Sequence, residues 1–223
     1  MKSADAYLFL YNALQVIGWG SILVKSTKGL LLDGLCNARL YDQVAWELQV
    51  FQTAALLEIV HTMLGLVRSP VGTTLAQVFS RVTVVWLILY KVESSRSSIG
   101  VPMLLIAWSV TEVVRYSFYA LNLIKAAPQL LIWMRYTFFI VLYPLGASGE
   151  VITMLSALPE IDSHRHWTLE LPNALNVGFS FYYFVIVLCL IYMPGFPLLY
   201  GYMFVQRKKV LGGGGANDAK KSV

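Results

Sequence analysis

The stretch from Trp133 to Glu150 holds the pair of residues best suited to chemistry: a phenol, Tyr143, and a carboxyl, Glu150, with Pro144, Gly146 and Gly149 in the same stretch. Their separation of seven positions is nearly two helical turns, so both side chains leave a helix on one side. Their backbones would stand roughly 10.5 Å apart along an undistorted axis. That is too far for a direct hydrogen bond but suits two groups converging on something held between them. A carboxyl shielded from water can take and return a proton near neutrality, and a neutral phenol can donate one. Such a pair suits the elimination of water: one group removes the proton alpha to a carbonyl while the other assists the departing hydroxyl. The competing reading is a packing tyrosine beside a salt-bridged glutamate, and the bare spacing does not choose between them. Pro144, Gly146 and Gly149 weaken the helix partway along, where only protein or a cavity can satisfy the released backbone groups.

Other ionisable side chains also interrupt apolar runs: Glu58, His61, Arg81, Glu112, Arg115 and Arg135. Each costs about 2.5 to 3.5 kcal/mol on insertion scales at the centre of a membrane helix, so each is expected to face a bundle interior. Glu58 with His61, and Glu112 with Arg115, are three apart and share a helical face. A salt-bridge lattice that fixes helix registry would account for any one of these residues. So dense a cluster in a small bundle marks a water-accessible pathway or an active site.

The elements that must position these groups are membrane helices. Of 223 residues, 57% are hydrophobic and 13% charged, with a mean hydropathy of +0.64, whereas charged residues approach a quarter of soluble domains. Apolar runs predict six spans: Tyr7–Val24, Trp46–Val67, Thr73–Tyr90, Ile99–Leu121, Leu131–Leu158 and Gly178–Val205. Each is long enough to cross a bilayer. The predicted fold is therefore all-α, a polytopic bundle of six transmembrane helices with no separate soluble catalytic domain. Loops are expected to be short except Asp33–Ala45 and Pro159–Val177. The first span lacks a basic leader and a small-residue cleavage site, so it is expected to stay in the mature protein.

An even number of spans places both termini on one face. Lys2, Arg68, Lys125, the run Arg207-Lys208-Lys209, Lys220 and Lys221 modestly favour the cytosol for that face. Residues 1–209 are expected to form the bundle and 210–223 a tail, flexible through Gly212–Gly215. Lys220-Lys221-Ser222-Val223 resembles the dilysine retrieval signal of endoplasmic-reticulum membrane proteins; a basic tail meeting anionic headgroups is the plainer alternative. This topology sets Glu58, His61, Glu112, Arg115 and Arg135 between the midplane and the cytosolic face, with Arg81 a few turns in from the same side. A polar cavity open to the cytosol follows, to which Arg68, Lys125 and Arg135 would draw anionic substrates.

Several chemistries lack their residues. Cys36 and Cys189 stand in no zinc-binding spacing. His61, His164 and His166 are too few for a di-iron site, and His164 and His166 flank Arg165 in a polar loop, as solvated residues do. Gly18-Trp19-Gly20 is no dinucleotide fingerprint. Elimination of water needs no cofactor.

Three motifs carry a resemblance: Leu57-Glu58-Ile59-Val60-His61 with Gly65; Ser109-Val110-Thr111-Glu112-Val113-Val114-Arg115-Tyr116-Ser117-Phe118; and Arg135-Tyr136 leading through Leu142-Tyr143-Pro144 to Gly149-Glu150. In this order they closely resemble the very-long-chain 3-hydroxyacyl-CoA dehydratases, also called protein-tyrosine-phosphatase-like or PASTICCINO-type proteins, and look most like the plant branch. The resemblance runs from about Leu10 to about Lys209. It implies a six-span endoplasmic-reticulum enzyme for the third step of fatty-acid elongation, converting a 3-hydroxyacyl-CoA to the trans-2-enoyl-CoA without a cofactor. The family's catalytic tyrosine and glutamate fall on Tyr143 and Glu150. Its other sensitive positions fall on Glu58, Arg81, Glu112, Arg115, Arg135 and Gly146, which would orient that pair and hold the thioester or pantetheine. Which of the pair removes the alpha proton stays open, with Glu150 favoured.

The implied partners are the acyl-CoA, membrane lipid, and the condensing enzyme, ketoacyl reductase and enoyl reductase of the cycle; no nucleic acid is expected. Phosphatase chemistry is not expected, because the Cys-x5-Arg spacing that phosphatases of that class use carries Thr62 ahead of Arg68. Arg68 is instead read as a cytosolic interfacial residue. The rival readings are a small transporter, against which the lack of internal repetition argues, and a non-catalytic scaffold for other membrane enzymes.

Overall fold

The computed structural model describes residues 3–67, 71–173 and 176–212. Arg68, Lys2, Lys220 and Lys221, and with them the retrieval signal and most of the Gly-rich linker, lie outside the described residues. The helices are α1 (Ser3–Leu31), α2 (Asn37–Ala54), α3 (Leu56–Met63), α4 (Val71–Val82), α5 (Gly100–Leu123), α6 (Gln129–Arg135), α7 (Phe139–His164) and α8 (Phe181–Leu211). A π-helical stretch, Thr83–Leu89, continues α4, and a short 3₁₀ turn, Glu93–Ser97, precedes α5. Among the described residues the only strand-like pairing is one antiparallel bridge, Leu169 to Phe179. The fold is all-helical.

By length and composition, α1, α7 and α8 are apolar enough to cross a membrane. The other expected spans fall short of that measure for physical reasons. Glu58 and His61 lie in a span broken at Ala55, Arg81 lies in the last turn of α4 just before the π-helical stretch, and Glu112 with Arg115 lowers the hydropathy of α5. The expected loop Asp33–Ala45 is a correction: the chain is helical from Asn37 onward. Leu40, Val44 and Leu48 recur every fourth residue with Tyr41 beside them, and all four are buried, so a narrow apolar stripe suffices to dock an otherwise polar helix. Likewise α7 runs on through Pro159 to His164 and stops where Arg165 turns left-handed at φ 51°. At the other end of the chain, α8 continues past Lys209 to Leu211.

Helix α5 is the hub, packing on α1 and α7, while α7 in turn packs on α8 and α1 on α2. The apolar core gathers around the first half of α5, where Val101, Leu104, Leu105 and Trp108 meet Trp19, Leu48, Ile88 and Met154. The charges begin one turn later, at Glu112. The approach of α5 to α7 depends on glycine, as is common where helices pack in membranes. A Cβ added at Gly149 would lie 2.8 Å from the Leu104 nitrogen and 2.9 Å from the Gly100 carbonyl oxygen. Both obstacles are backbone and cannot rotate away. Gly149→Ala is therefore expected to lower stability by about 1–3 kcal/mol, measured as thermal unfolding in detergent. Gly146→Ala, whose Cβ would meet the Ala107 side chain at 3.3 Å, is expected to cost less.

The helix interruption expected around Pro144 falls earlier, between α6 and α7 at Tyr136–Phe138. Pro144 sits inside α7 and leaves the Ile140 carbonyl without its helical N–H donor. The Tyr200 hydroxyl of α8 donates to that carbonyl at 2.9 Å. Protein, not a cavity, satisfies the released group.

Candidate active site

Glu150 lies near the middle of α7, 7% exposed, where α7 packs on both α5 and α8. The Trp108 indole N–H of α5 donates to its Oε1 at 2.9 Å. The Tyr192 hydroxyl of α8 donates to its Oε2. Both carboxylate oxygens therefore accept a hydrogen bond from a neighbouring helix. Gly146 lies one turn earlier on α7, where an added Cβ would press on the Ala107 side chain of α5 at 3.3 Å and sit in ordinary contact, 3.8 Å, with the Trp108 indole nitrogen.

Tyr143 is partly buried and does not bond Glu150. Its ring stacks on Phe196 at 5.1 Å and on Tyr200 at 5.9 Å between centroids. Among the described residues no hydrogen-bond partner meets its hydroxyl. Tyr192, Phe196 and Tyr200 recur every fourth residue along α8 and form one stripe. That stripe touches Glu150 at one end and Tyr143 at the other, so the two groups face the same neighbouring helix with different immediate contacts.

The remaining charges form a chain that leads to this carboxylate. Arg115 makes a two-pronged bond to Glu58, both contacts 2.9 Å, and its Nε donates to Glu112 at 2.7 Å. Arg81 pairs with the other Glu112 oxygen and lies 5.1 Å over the Trp108 ring. The Tyr116 hydroxyl also bonds Glu58. Charges from α3, α4 and α5 are thus joined, and the last link to Glu150 is the Trp108 indole. Buried ion pairs of this kind need every partner, because each guanidinium or carboxylate left alone in a low-dielectric interior is costly.

Two of the ionisable residues that interrupt apolar runs, one of them the expected site residue Arg135, stand apart from this chain. His61 faces α1, bonded to the Tyr7 hydroxyl at 2.9 Å and edge-on to Tyr11. Arg135 has no carboxylate partner among the described residues. Its guanidinium lies against the rings of Phe118 and Tyr119, at 4.4 and 4.5 Å, and donates to the Tyr119 hydroxyl at 3.1 Å. Among the described residues its buried Nη1 meets no hydrogen-bond partner, which leaves a donor available to a ligand. Thr62, at the position a phosphatase would give to cysteine, spends its hydroxyl on the Glu58 backbone carbonyl at 2.7 Å. His166, expected in a solvated loop, reaches Glu160 at 3.2 Å.

Trp108, Tyr192 and Tyr200 were not singled out by sequence reasoning. Only the four-residue spacing of Tyr192, Phe196 and Tyr200, and the placement of Trp108 one turn before Glu112, could have pointed to them.

An all-helical bundle with apolar spanning helices and an ion-pair chain ending at a buried, doubly hydrogen-bonded carboxylate defines a membrane protein with an internal polar site. The chain belongs to the protein tyrosine phosphatase-like family, PTPLA, whose model matches residues 52–213. It is 56% identical over 213 residues to the very-long-chain (3R)-3-hydroxyacyl-CoA dehydratase hpo-8 of Caenorhabditis elegans, covering 95% of this chain and 97% of that one. It is 42% identical to dehydratase 2 of Homo sapiens, over 93% of this chain and 82% of the relative. It is 43% identical to the dehydratase PASTICCINO 2 of Arabidopsis thaliana, over 92% of each. The plant protein is thus about as similar as the human one and less similar than the nematode one, and these identities do not single out a plant branch. No solved structure matches the chain.

Proposed function

We propose that the chain is a 3-hydroxyacyl-CoA dehydratase that removes water from a very-long-chain 3-hydroxyacyl-CoA to give the trans-2-enoyl-CoA, the dehydration step of fatty-acid elongation. The family and the names of its relatives support the reaction. The observation that carries the reading to residues is the stripe on α8 that joins a buried, hydrogen-bonded Glu150 to a Tyr143 whose hydroxyl meets no hydrogen-bond partner among the described residues.

In this reading the Glu150 carboxylate takes the proton from C2 of the acyl chain. The electron pair of that C–H bond forms the C2=C3 double bond, the C3–O bond breaks, and the departing hydroxyl takes the Tyr143 proton to leave as water. The proton on Glu150 then returns to the Tyr143 phenolate, so neither residue is consumed. Arg135, with its unpartnered Nη1, would hold the thioester or another polar part of the substrate. The chain Glu58, Arg115, Glu112 and Arg81 would fix Trp108, and Gly146 would allow the close approach of α5 at Ala107.

The protein is read as crossing the endoplasmic-reticulum membrane six times, with residues 1–209 as one bundle, a cytosolic tail beyond it, and both termini cytosolic. Its working partners would be the condensing enzyme, ketoacyl reductase and enoyl reductase of the cycle. The test is direct. Purified full-length protein given a long-chain 3-hydroxyacyl-CoA, with nothing else added, is expected to form the conjugated enoyl thioester, followed by its ultraviolet absorbance. Tyr143→Phe, which keeps the ring stack, is expected to fold and to lose activity by about 10²- to 10⁴-fold. Folded wild-type protein that leaves the substrate untouched would favour the scaffold reading.

A further inference from the structure

A carboxylate that acts as a base must present one lone pair to a carbon-bound proton in a fixed direction, and displacements as small as 1 Å can cost 10²-fold. Glu150 sits on α7, yet neither hydrogen bond that aims it comes from α7. Trp108 of α5 holds Oε1 at 2.9 Å and Tyr192 of α8 holds Oε2. The two donors approach from opposite flanking helices, which leaves the carboxylate no free rotation about its terminal bond. An ionised carboxylate can accept at both oxygens and still keep a lone pair on each. An indole N–H can only donate, so Trp108 requires an acceptor at Oε1. The Tyr143 hydroxyl has no such partner among the described residues and is free to serve as the proton donor.

We propose that Tyr192, with Trp108 opposite it, is a positioning residue of the dehydration reaction: it aims the Glu150 carboxylate at the C2 proton and thereby divides the labour, Glu150 as base and Tyr143 as acid. This rests on the proposed dehydratase reading of Glu150 and deepens it. Tyr192 need not touch the substrate. Its place in the stripe with Phe196 and Tyr200 also sets Glu150 and Tyr143 against one face of α8. Helix α8 is then part of the active site, although it contributes no ionisable group to the ion-pair chain.

The experiment uses the full chain in detergent and a long-chain 3-hydroxyacyl-CoA carrying deuterium at C2. Tyr192→Phe keeps the ring and removes only the hydroxyl, and a hydrogen bond to a charged group lost here is expected to lower kcat about 10- to 100-fold. KM should stay within about twofold, as for an interaction expressed in the transition state and not in binding. The isotope effect on kcat should rise, because removal of the C2 proton becomes more fully rate-limiting. A purely structural loss would reduce the active fraction and leave the isotope effect where it was. Trp108→Phe serves as the second variant, with the same split expected, and it decides the matter if Tyr192→Phe does not fold.

Wild-type kcat and isotope effect in folded Tyr192→Phe, alongside an inactive Glu150→Gln, would overturn the positioning role and leave the dehydratase reading standing. An active Glu150→Gln would instead overturn the reading on which it rests.

Discussion

Glu150→Gln is expected to lower kcat by about three orders of magnitude with KM little changed. Glutamine matches the carboxylate in shape, and its amide oxygen can still accept from Trp108, whose N–H reaches Oε1 at 2.9 Å. The Tyr192 hydroxyl would then turn to accept from the amide nitrogen where it now donates to Oε2. No cavity opens, but the Tyr192 O–H and the second amide N–H are left without the Oε2 acceptor, which should cost about 1–3 kcal/mol of stability while α5, α7 and α8 stay in register. What disappears is the basic lone pair, and with it removal of the C2 proton. Tyr143→Phe should cost a similar factor, since only the hydroxyl is lost while the contacts to Phe196 and Tyr200 remain. The two groups act in one elimination, so their losses should not add. The double variant is expected within about tenfold of the worse single one. The check is enoyl-CoA formation under single-turnover conditions, beside thermal unfolding to show that each variant folds. Losses that multiply in full would mean that Tyr143 and Glu150 contribute to separate steps.

The membrane character and the buried charges were legible in the sequence, because hydrocarbon makes every ionisable residue in an apolar run conspicuous. Their pairing was only half legible. Glu112 with Arg115 is a one-turn contact within α5. The pairings of Arg115 with Glu58 and of Arg81 with Glu112, across 57 and 31 positions, depend on how α3, α4 and α5 pack, which no periodicity records. Trp108 and Tyr192 were harder still. Among 13 tyrosines and 6 tryptophans, one phenol and one indole do not stand out until helices from both sides bring them to Glu150. Leu40 and Val44 show the opposite failure: their stripe is too thin to raise the local hydropathy, so Asp33–Ala45 reads as a loop, although together with Leu48 it is enough to dock α2. Pro144 signals released backbone groups in the sequence, but α7 runs on through it. Its answer, the Tyr200 hydroxyl, lies on another helix and could not be anticipated from α7 alone.

Glu112→Leu is expected to destabilise the fold by about 3–5 kcal/mol, the cost of stranding buried charges. Glu112 is 1% exposed and pairs with both Arg81 and Arg115. Without it Arg115 keeps Glu58, but Arg81 keeps only its position over the Trp108 ring. A cation–π contact does not replace a carboxylate for a guanidinium held away from water. The thermal midpoint in detergent should fall on the order of 10 °C. The comparison is Asp162→Asn at the exposed pair with Arg165, where the separation is 3.9 Å and the side chains are 60% and 62% exposed; that change should cost about 1 kcal/mol or less. Replacing the buried set together, Arg81→Met with Glu58→Leu, Glu112→Leu and Arg115→Met, should recover much of the lost stability, because apolar residues of similar volume satisfy a bundle interior as well as paired ions do. It should not recover dehydration, since Trp108 would lose the guanidinium that fixes it beside Glu150. A charge-free variant that is both stable and active would show that the ion-pair chain only sets helix registry. One that is stable but inactive would show that it is kept for the site it supports, and an unchanged midpoint in Glu112→Leu itself would mean that water already reaches Arg81.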